Sequence, residues 1–180
     1  MCADNPGSRV PRIAPLPEEE WDDVLKAVAA TTGPLHVFTT LGRHRELFNA
    51  WIGFGSMMLL QGSLGARDRE LAILRVAHQR GCDYEWGHHR RLGLEAGLTE
   101  REIAALRLDL EAHGWSEDDR MVLAAADELH AHGTVTDATW NALATRFGER
   151  ELIELVMLVG QYHMLAFALN ALRVQPDEEP

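Results

Sequence analysis

The sequence predicts an all-α fold, organised as a single-domain helical bundle. The chain has 180 residues, of which 46% are hydrophobic and 25% charged, so it is long enough for one domain with a substantial core. Apolar residues recur at helical spacing through most of the chain, while the alternation typical of strands is almost absent. Residues that start and stop helices flank these segments, and together they predict eight helices.

The first four predicted helices fill the N-terminal half. PEEEWDDVLKAVAATTG has acidic residues in its first turn and ends at Gly33. RHRELFNAWIGFGSMMLLQGS is the second helix, and ARDRELAILRVAHQRG is the third, with Gly81 as its C-terminal cap. CDYEWGHHRRLGLEAG is the fourth, closed by Gly97.

The other four predicted helices follow without a long gap. LTEREIAALR begins with Thr99 and Glu102, a capping-box pair. SEDDRMVLAAADELHAHG has Ser116 as its N-cap, and TDATWNALATRFG repeats the same pattern. ERELIELVMLVGQYHMLAFALNALRV is apolar nearly all round, which predicts a helix buried in the core or between subunits. No run is expected to reach the ~18 apolar residues of a membrane span.

Composition limits the domain organisation and the partners. We expect a flexible N-terminal arm over 1–17, a helical domain over 18–173 and a C-terminal tail over 174–180. The net charge of −11 argues against binding to nucleic acid or to an anionic membrane, but it is compatible with a small-molecule substrate. Cys2 and Cys82 are too few for a disulfide framework, and the N-terminus has no apolar run, so a reducing cytoplasm is expected.

Most residues whose side chains could take part in catalysis lie between Arg69 and Gly97. A helix from Cys82 would place Cys82, Glu85 and His89 on one face, with Glu85 and His89 close enough for a hydrogen bond. An antiparallel turn at Gly81 would bring Glu70 near that face. Two carboxyl groups, an imidazole and a thiol in an apolar setting suit proton transfer or thiol chemistry, although a purely structural Glu–His pair is the common alternative.

Neighbouring residues are weaker candidates. Tyr84, Trp86 and His88 are candidates for substrate contacts, but Tyr84 and Trp86 are two residues apart and do not share a helix face. One of the two is then expected in the core, and His88 is equally compatible with a solvated position. His130 and His132 likewise face different ways, so no metal site is expected, and no nucleotide or cofactor motif is found.

The segment RELAILRVAHQRGCDYEWGHHRRLGLEAGLTEREIAAL resembles the signature region of the carboxymuconolactone decarboxylase family, which includes the alkylhydroperoxidase D-like proteins. The resemblance lies in Arg69-Glu70-Leu71, in Cys82, Glu85 and His89, and in the AGLTEREIAAL that follows. It implies an all-helical fold of the alkylhydroperoxidase D-like type. It also implies assembly into homodimers, trimers or hexamers.

The alkylhydroperoxidase D-type members carry Cys-x-x-Cys-x-x-x-His and an upstream glutamate. Their two thiols cycle through a disulfide while the glutamate and histidine relay protons. By this resemblance Glu70, Cys82 and His89 take the positions of the glutamate, first cysteine and histidine. Glu85 replaces the second cysteine, so a self-contained dithiol peroxidase or reductase is disfavoured.

Three functions remain open. The leading expectation is cofactor-free lyase, decarboxylase or isomerase chemistry on a small organic acid or lactone. Glu85 and His89 would then be the acid–base pair, Glu70 would hold or relay a proton, and Cys82 would polarise the substrate or pack against it. The second is a one-cysteine peroxidase that uses an external thiol at Cys82. The third is a non-catalytic helical assembly protein.

Overall fold

The computed structural model describes residues 10–177, which form nine α-helices and contain no β-strand. The all-α prediction is therefore confirmed. The helices, in chain order, are α1 (Asp23–Thr32), α2 (His36–Leu41), α3 (Arg45–Leu60), α4 (Ala66–Gln79), α5 (Asp83–Glu95), α6 (Glu100–Ala105), α7 (Glu117–His132), α8 (Asp137–Arg146) and α9 (Glu149–Leu172).

Most helix termini lie at the residues that the sequence indicates. Thr99, Ser116 and Thr136 each accept a hydrogen bond from a backbone N–H in the first turn of their helices. The start of the first helix was expected at the acidic residues, but Glu18–Glu20 form a short 3-10 helix and α1 begins at Asp23, with Asp22 as its N-cap. Thr99 and Glu102 form the expected capping box. The eight predicted helices omit α2, because its six residues are too few for an apolar period to be recognised.

The chain divides into two compact units. Among the described residues, the terminal unit comprises 10–56 and 168–177, and the central unit comprises 57–167, so both boundaries fall within helices, α3 and α9. In the terminal unit, Leu16, Leu25 and Phe48 form a buried cluster. The rings of Phe38, Phe48 and Trp51 lie 6.2–6.3 Å from one another and extend this cluster, which is therefore largely aromatic.

The described part of the expected arm is held by hydrogen bonds within the terminal unit. The backbone N–H of Arg12 donates to the carbonyl of Leu172, and that of Leu16 donates to the carbonyl of Thr39. Positions 1–9 and 178–180, which include Cys2, lie outside the described residues. The domain limits stay predictions.

In the central unit, α4 packs most extensively against α5 and α7. Nearly all of α4 from Glu70 to Ala77 is buried, so this helix forms the centre of the unit. Gly81 has a φ of 56°, a left-handed conformation that favours glycine, and it reverses the chain between α4 and α5. At Gly93, a Cβ would lie 3.1 Å from side-chain carbons of Leu74 and Leu98, so the two helices approach closely there.

A partly buried ionic cluster joins the start of α4 to α6 and α7. The Arg67 guanidinium donates to both carboxylate oxygens of Asp119, at 3.0 and 2.8 Å, and also to Glu102. It further donates to the carbonyl of Gly97 at 3.1 Å. These bonds fix the N-terminus of α4, which carries the first candidate site residue one turn later.

The prediction that no segment reaches the length of a membrane span needs correction at α9. Its 24 residues include an 18-residue window of mean hydropathy 1.7, long and apolar enough to span a membrane by length and composition alone. Half of that window is buried within the protein. A core helix passes the same test, so this one helix is weak evidence for membrane insertion.

Candidate active site

The α4–α5 hairpin brings Glu70 and His89 into direct contact. The Nδ1 atom of His89 lies 2.7 Å from Oε2 of Glu70, and both side chains are almost inaccessible to solvent. The turn at Gly81 thus has the expected effect, since it places the α4 glutamate against the α5 histidine. A hydrogen bond of this length between two buried ionisable groups holds the imidazole in one orientation.

Glu85 approaches His89 from the other side. Its Oε2 atom lies 3.4 Å from Nε2 of His89, so the expected Glu85–His89 proximity is present but the contact is long. The short hydrogen bond of His89 is made with Glu70 instead. His89 is therefore positioned between two buried carboxyl groups, one on each ring nitrogen.

The protonation of this cluster differs from that of the same groups in water. Burial raises the pKa of Glu85, and the charge of Glu70 adds to the increase, while His89 and His88 oppose it. Burial alone would lower the pKa of His89, but the hydrogen bond to Glu70 and the charges of both carboxylates outweigh it, so the pKa of His89 is raised. Both Glu85 and His89 therefore retain protons to a higher pH than usual.

Cys82 is the N-cap of α5 and is 1% exposed. Burial raises the pKa of its thiol to about 12, and the charges of Glu85 and Asp83 add to the increase. Hydrogen bonds from the backbone at Glu85 and Tyr84 act in the opposite direction but do not compensate. At neutral pH the thiol form predominates, although it lies at a helix N-terminus.

Two residues of the cluster were not identified from the sequence. The Nε–H of Arg69 donates to Oε1 of Glu70 at 3.2 Å. The ring of Tyr162, from α9, meets the His89 ring edge to face with 5.0 Å between centroids. Burial raises the pKa of Tyr162 well above its usual value, so its phenol stays a neutral donor. The signals in the sequence were a cation beside Glu70 and the single tyrosine of the long C-terminal helix.

The three candidates for substrate contacts separate into two places. The rings of Tyr84 and His88 lie 4.8 Å apart, and His88 is close enough to influence the charge on Glu85. Trp86 instead lies under the guanidinium of Arg107, 4.1 Å from its ring centroid, and beside His78. His88 therefore lies near the cluster of Glu70, Glu85 and His89, whereas Trp86 contacts Arg107 and His78 instead. Their role in binding stays a prediction.

The other histidines do not form a metal centre in the part of the chain described. His130 pairs with His163 at 3.1 Å, rather than with His132, and His113 packs against Trp115. Within residues 10–177, no three His, Cys, Asp or Glu side chains have an arrangement that could hold a metal ion.

A shallow groove of about 500 Å³ lies elsewhere in the central unit. Its lining residues are Leu129, Gly133, Thr134, Val135, Asp137, Trp140 and Val156. None of the residues around His89 contributes to it.

Comparison with known proteins places this geometry in context. The model of the carboxymuconolactone decarboxylase family matches residues 45–128, which include Glu70, Cys82, Glu85 and His89. A comparison with curated proteins gives no match.

Several solved structures share the fold. A peroxidase-related protein with an alkylhydroperoxidase core, from Ralstonia eutropha, is 18% identical with a TM-score of 0.79, covering 94% of this chain and 94% of that one. A peroxidase-related protein from Silicibacter sp. is 18% identical with a TM-score of 0.76, covering 95% and 91%. A debrominase, solved as a cysteine-to-alanine variant with 2,3,4-tribromopyrrole, is 16% identical with a TM-score of 0.75, covering 92% and 91%. At these identities the likeness concerns the fold alone.

Proposed function

Because the chain belongs, through residues 45–128, to the carboxymuconolactone decarboxylase family, we propose that it is an acid–base enzyme that needs no cofactor. The proposed reaction is a decarboxylation, or a related lyase or isomerase step, on a small organic acid or lactone. The observation that carries the proposal is the buried imidazole of His89 between the carboxyl groups of Glu70 and Glu85.

The cluster supports a proton transfer to carbon. In a β-keto acid, the C–C bond to the carboxylate breaks, CO2 leaves, and the electron pair forms an enolate. His89 or Glu85 then delivers the proton that the enolate carbon requires, and the neutral phenol of Tyr162 is a hydrogen-bond donor for the enolate oxygen. Glu70 remains hydrogen-bonded to Nδ1 of His89 and fixes its orientation.

The test measures CO2 release from a series of β-keto acids and carboxylated lactones. We expect Glu85→Gln and His89→Ala each to keep the helical circular dichroism of the parent and to lower turnover about 10²–10⁴-fold, the usual loss for an acid–base group. Glu95→Gln, an exposed change on the same helix, is the matched control and keeps the parent rate. Turnover that persists in both site variants would refute the acid–base assignment.

A one-cysteine thiol enzyme is the second candidate. The backbone hydrogen bonds at Glu85 and Tyr84 favour a thiolate at Cys82, and the debrominase with this fold was studied through a cysteine variant. In that reaction the Cys82 thiolate would attack a peroxide oxygen, release an alcohol or water, and become a sulfenic acid that an external thiol reduces. The pKa of about 12 opposes it.

Peroxide treatment followed by mass spectrometry distinguishes the two candidates. We expect Cys82 to stay unmodified at pH 7, because a pKa of about 12 leaves roughly one thiolate in 10⁵ molecules. Stoichiometric sulfenic acid at Cys82 would favour the thiol enzyme. Inertness towards both substrate classes would favour a non-catalytic assembly protein.

A further inference from the structure

Arg69 occupies a distinct position at the edge of the acid–base cluster. Its side chain is 19% exposed, whereas Glu70 and His89 behind it are nearly inaccessible. Only its Nε–H is engaged, in the bond to Glu70. Within residues 10–177, neither terminal nitrogen of this guanidinium has a hydrogen-bond partner.

This arrangement differs from that of two other arginines of α4, whose guanidinium groups are fully engaged. Arg75 and Arg67 use their terminal nitrogens on carboxylates and backbone carbonyls. Arg69 leaves the edge formed by its two terminal nitrogens unused while most of its side chain is buried. That edge presents parallel N–H donors with the spacing of a carboxylate, which it can bind in a bidentate manner.

The charge of Arg69 influences the ionisation of His89 and Tyr162. Its positive charge opposes the rise in the pKa of His89 and in that of Tyr162, so the guanidinium is near enough to act on both groups. A ligand held on the free edge of Arg69 would consequently be bound to the residue that contacts Glu70, which in turn contacts the imidazole of His89. The same guanidinium is tied to Glu70, so its position is fixed relative to the proton carriers.

We propose that Arg69 is the carboxylate-binding residue of this site, and that the substrate is a monocarboxylate whose acid group is held by the two terminal nitrogens of Arg69. This inference rests on the proposed acid–base function and narrows its substrate class. A single negative charge fits best, because Glu70 and Glu85 lie close by and would repel a second one. Lactones without a free carboxylate are then poor ligands.

The experiment uses benzoate as the probe and neutral benzamide, of similar shape, as its comparison, with binding measured by titration calorimetry. We expect benzoate to bind the parent more tightly than benzamide does. Arg69→Gln should weaken benzoate binding about 10- to 100-fold, as expected for the loss of hydrogen bonds to a charged group, and leave benzamide binding unchanged. Arg69→Lys should lie between the two, because it keeps the charge but loses the planar pair of donors.

Two controls make the outcome specific. Arg101→Gln removes an exposed cation from α6 and should leave benzoate binding as in the parent. Glu95→Gln, an exposed change on α5 outside the cluster, should likewise leave benzoate binding unchanged. Equal binding of benzoate by the parent and Arg69→Gln, or no preference for benzoate over benzamide, would overturn the inference.

The same measurements separate this inference from the function on which it rests. If Arg69→Gln loses benzoate while Glu85→Gln and His89→Ala keep turnover, the carboxylate site stands and the acid–base proposal fails. If Glu85→Gln and His89→Ala abolish turnover while Arg69→Gln binds benzoate normally, the acid–base proposal stands and the carboxylate site fails.

Discussion

Glu85 is the residue at which this chain departs from the dithiol motif that its sequence resembles. It lies three residues after Cys82 on the first turn of α5, where the alkylhydroperoxidase D-type motif has its second cysteine. A carboxyl group there cannot resolve a sulfenic acid, but it can carry a proton. The replacement therefore changes the chemistry available at the helix N-terminus.

Glu85→Cys should create a redox-active pair with Cys82. The two sulfurs would have the Cys-x-x-Cys spacing at a helix start, where one thiol resolves the sulfenic acid of the other. We expect the variant to lose two free thiols on peroxide treatment, to recover them with dithiothreitol, and to reduce peroxide faster than the parent. Glu85→Ser, which adds no thiol, is the control. A parent that reduces peroxide as fast as the variant would show that Glu85 does not determine the mechanism.

Glu85 should also lower stability at neutral pH. Because burial raises its pKa in the folded protein, the unfolded chain releases this proton first as the pH rises. The free energy of unfolding should therefore fall as the pH rises above about 4.5, the usual value for glutamate, until the raised pKa is passed. Glu85→Gln removes this dependence. Urea unfolding between pH 4 and 8 should show the variant gaining stability over the parent as the pH rises; a constant difference would contradict the prediction.

The sequence predicts part of this site and leaves the rest open for physical reasons. Helical spacing places Glu85 and His89 together, and a glycine turn brings Glu70 to them, because backbone geometry determines both relations. Spacing does not reveal that His89 prefers Glu70, since that depends on side-chain rotamers and burial. The contact with Tyr162 depends on how α9 packs, which local patterns do not specify.

At the scale of helices, the Arg67 cluster should make the central unit sensitive to acid. Burial would raise the pKa of Glu102, but its bonds with Thr99 and Arg67 dominate and lower it to about 2. Burial would also raise the pKa of Asp119, but its hydrogen bonds with Arg67 and Ser116 outweigh this effect and lower it. The ionised carboxylates of Glu102 and Asp119 therefore stabilise the folded protein above the ordinary pKa values of these groups. That stabilisation is lost as the pH falls through their lowered pKa values in the folded protein.

Arg67→Gln should therefore make the free energy of unfolding less dependent on pH at acidic pH. We expect the parent to lose stability steeply between about pH 4.5 and 2, and the variant to start lower but to fall less over that range. Chemical unfolding followed by circular dichroism at several pH values measures this. Arg101→Gln, on α6 but exposed, is the control. Parallel curves for parent and Arg67→Gln would indicate that the cluster does not determine acid stability.

The helices themselves were predicted more completely than their ends. Capping residues identify where α6, α7 and α8 begin, because a side-chain oxygen must satisfy the free N–H groups there. The glycine that closes the α8 pattern, Gly148, directly follows the C-cap Phe147 of a helix whose last residue is Arg146. The start of α1 differs more, because Glu18–Glu20 form a short 3-10 helix and α1 begins only at Asp23.

At the scale of the whole molecule, an exposed apolar face of α9 supports the expected self-association. Ile153, Met157, Met164 and Phe167 are all exposed and recur at spacings of four, seven and three residues, so they share one face of the helix. We call these four residues the α9 stripe. They carry no charge although the chain has a net charge of −11, so a second copy can meet the stripe without opposing like charges.

Charged substitutions in the α9 stripe should therefore reduce the oligomer. We predict that the parent is a homo-oligomer in light scattering at micromolar concentration and that Met157→Glu with Met164→Glu shifts it towards monomer. Asn141→Glu, which adds one charge at an exposed position of α8, should leave the mass unchanged. A parent that is already monomeric would show that the stripe has another role.

The short hydrogen bond between Glu70 and His89 should also slow the exchange of the shared imidazole proton with solvent. An imidazole proton in contact with water exchanges too rapidly to give a separate magnetic resonance signal, but this one lies between two buried atoms 2.7 Å apart. Its lifetime is then set by how often the α4–α5 hairpin opens. We expect a downfield proton resonance from the His89 ring that disappears in Glu70→Gln. The rate at which this proton exchanges with solvent would then measure how often the α4–α5 hairpin opens.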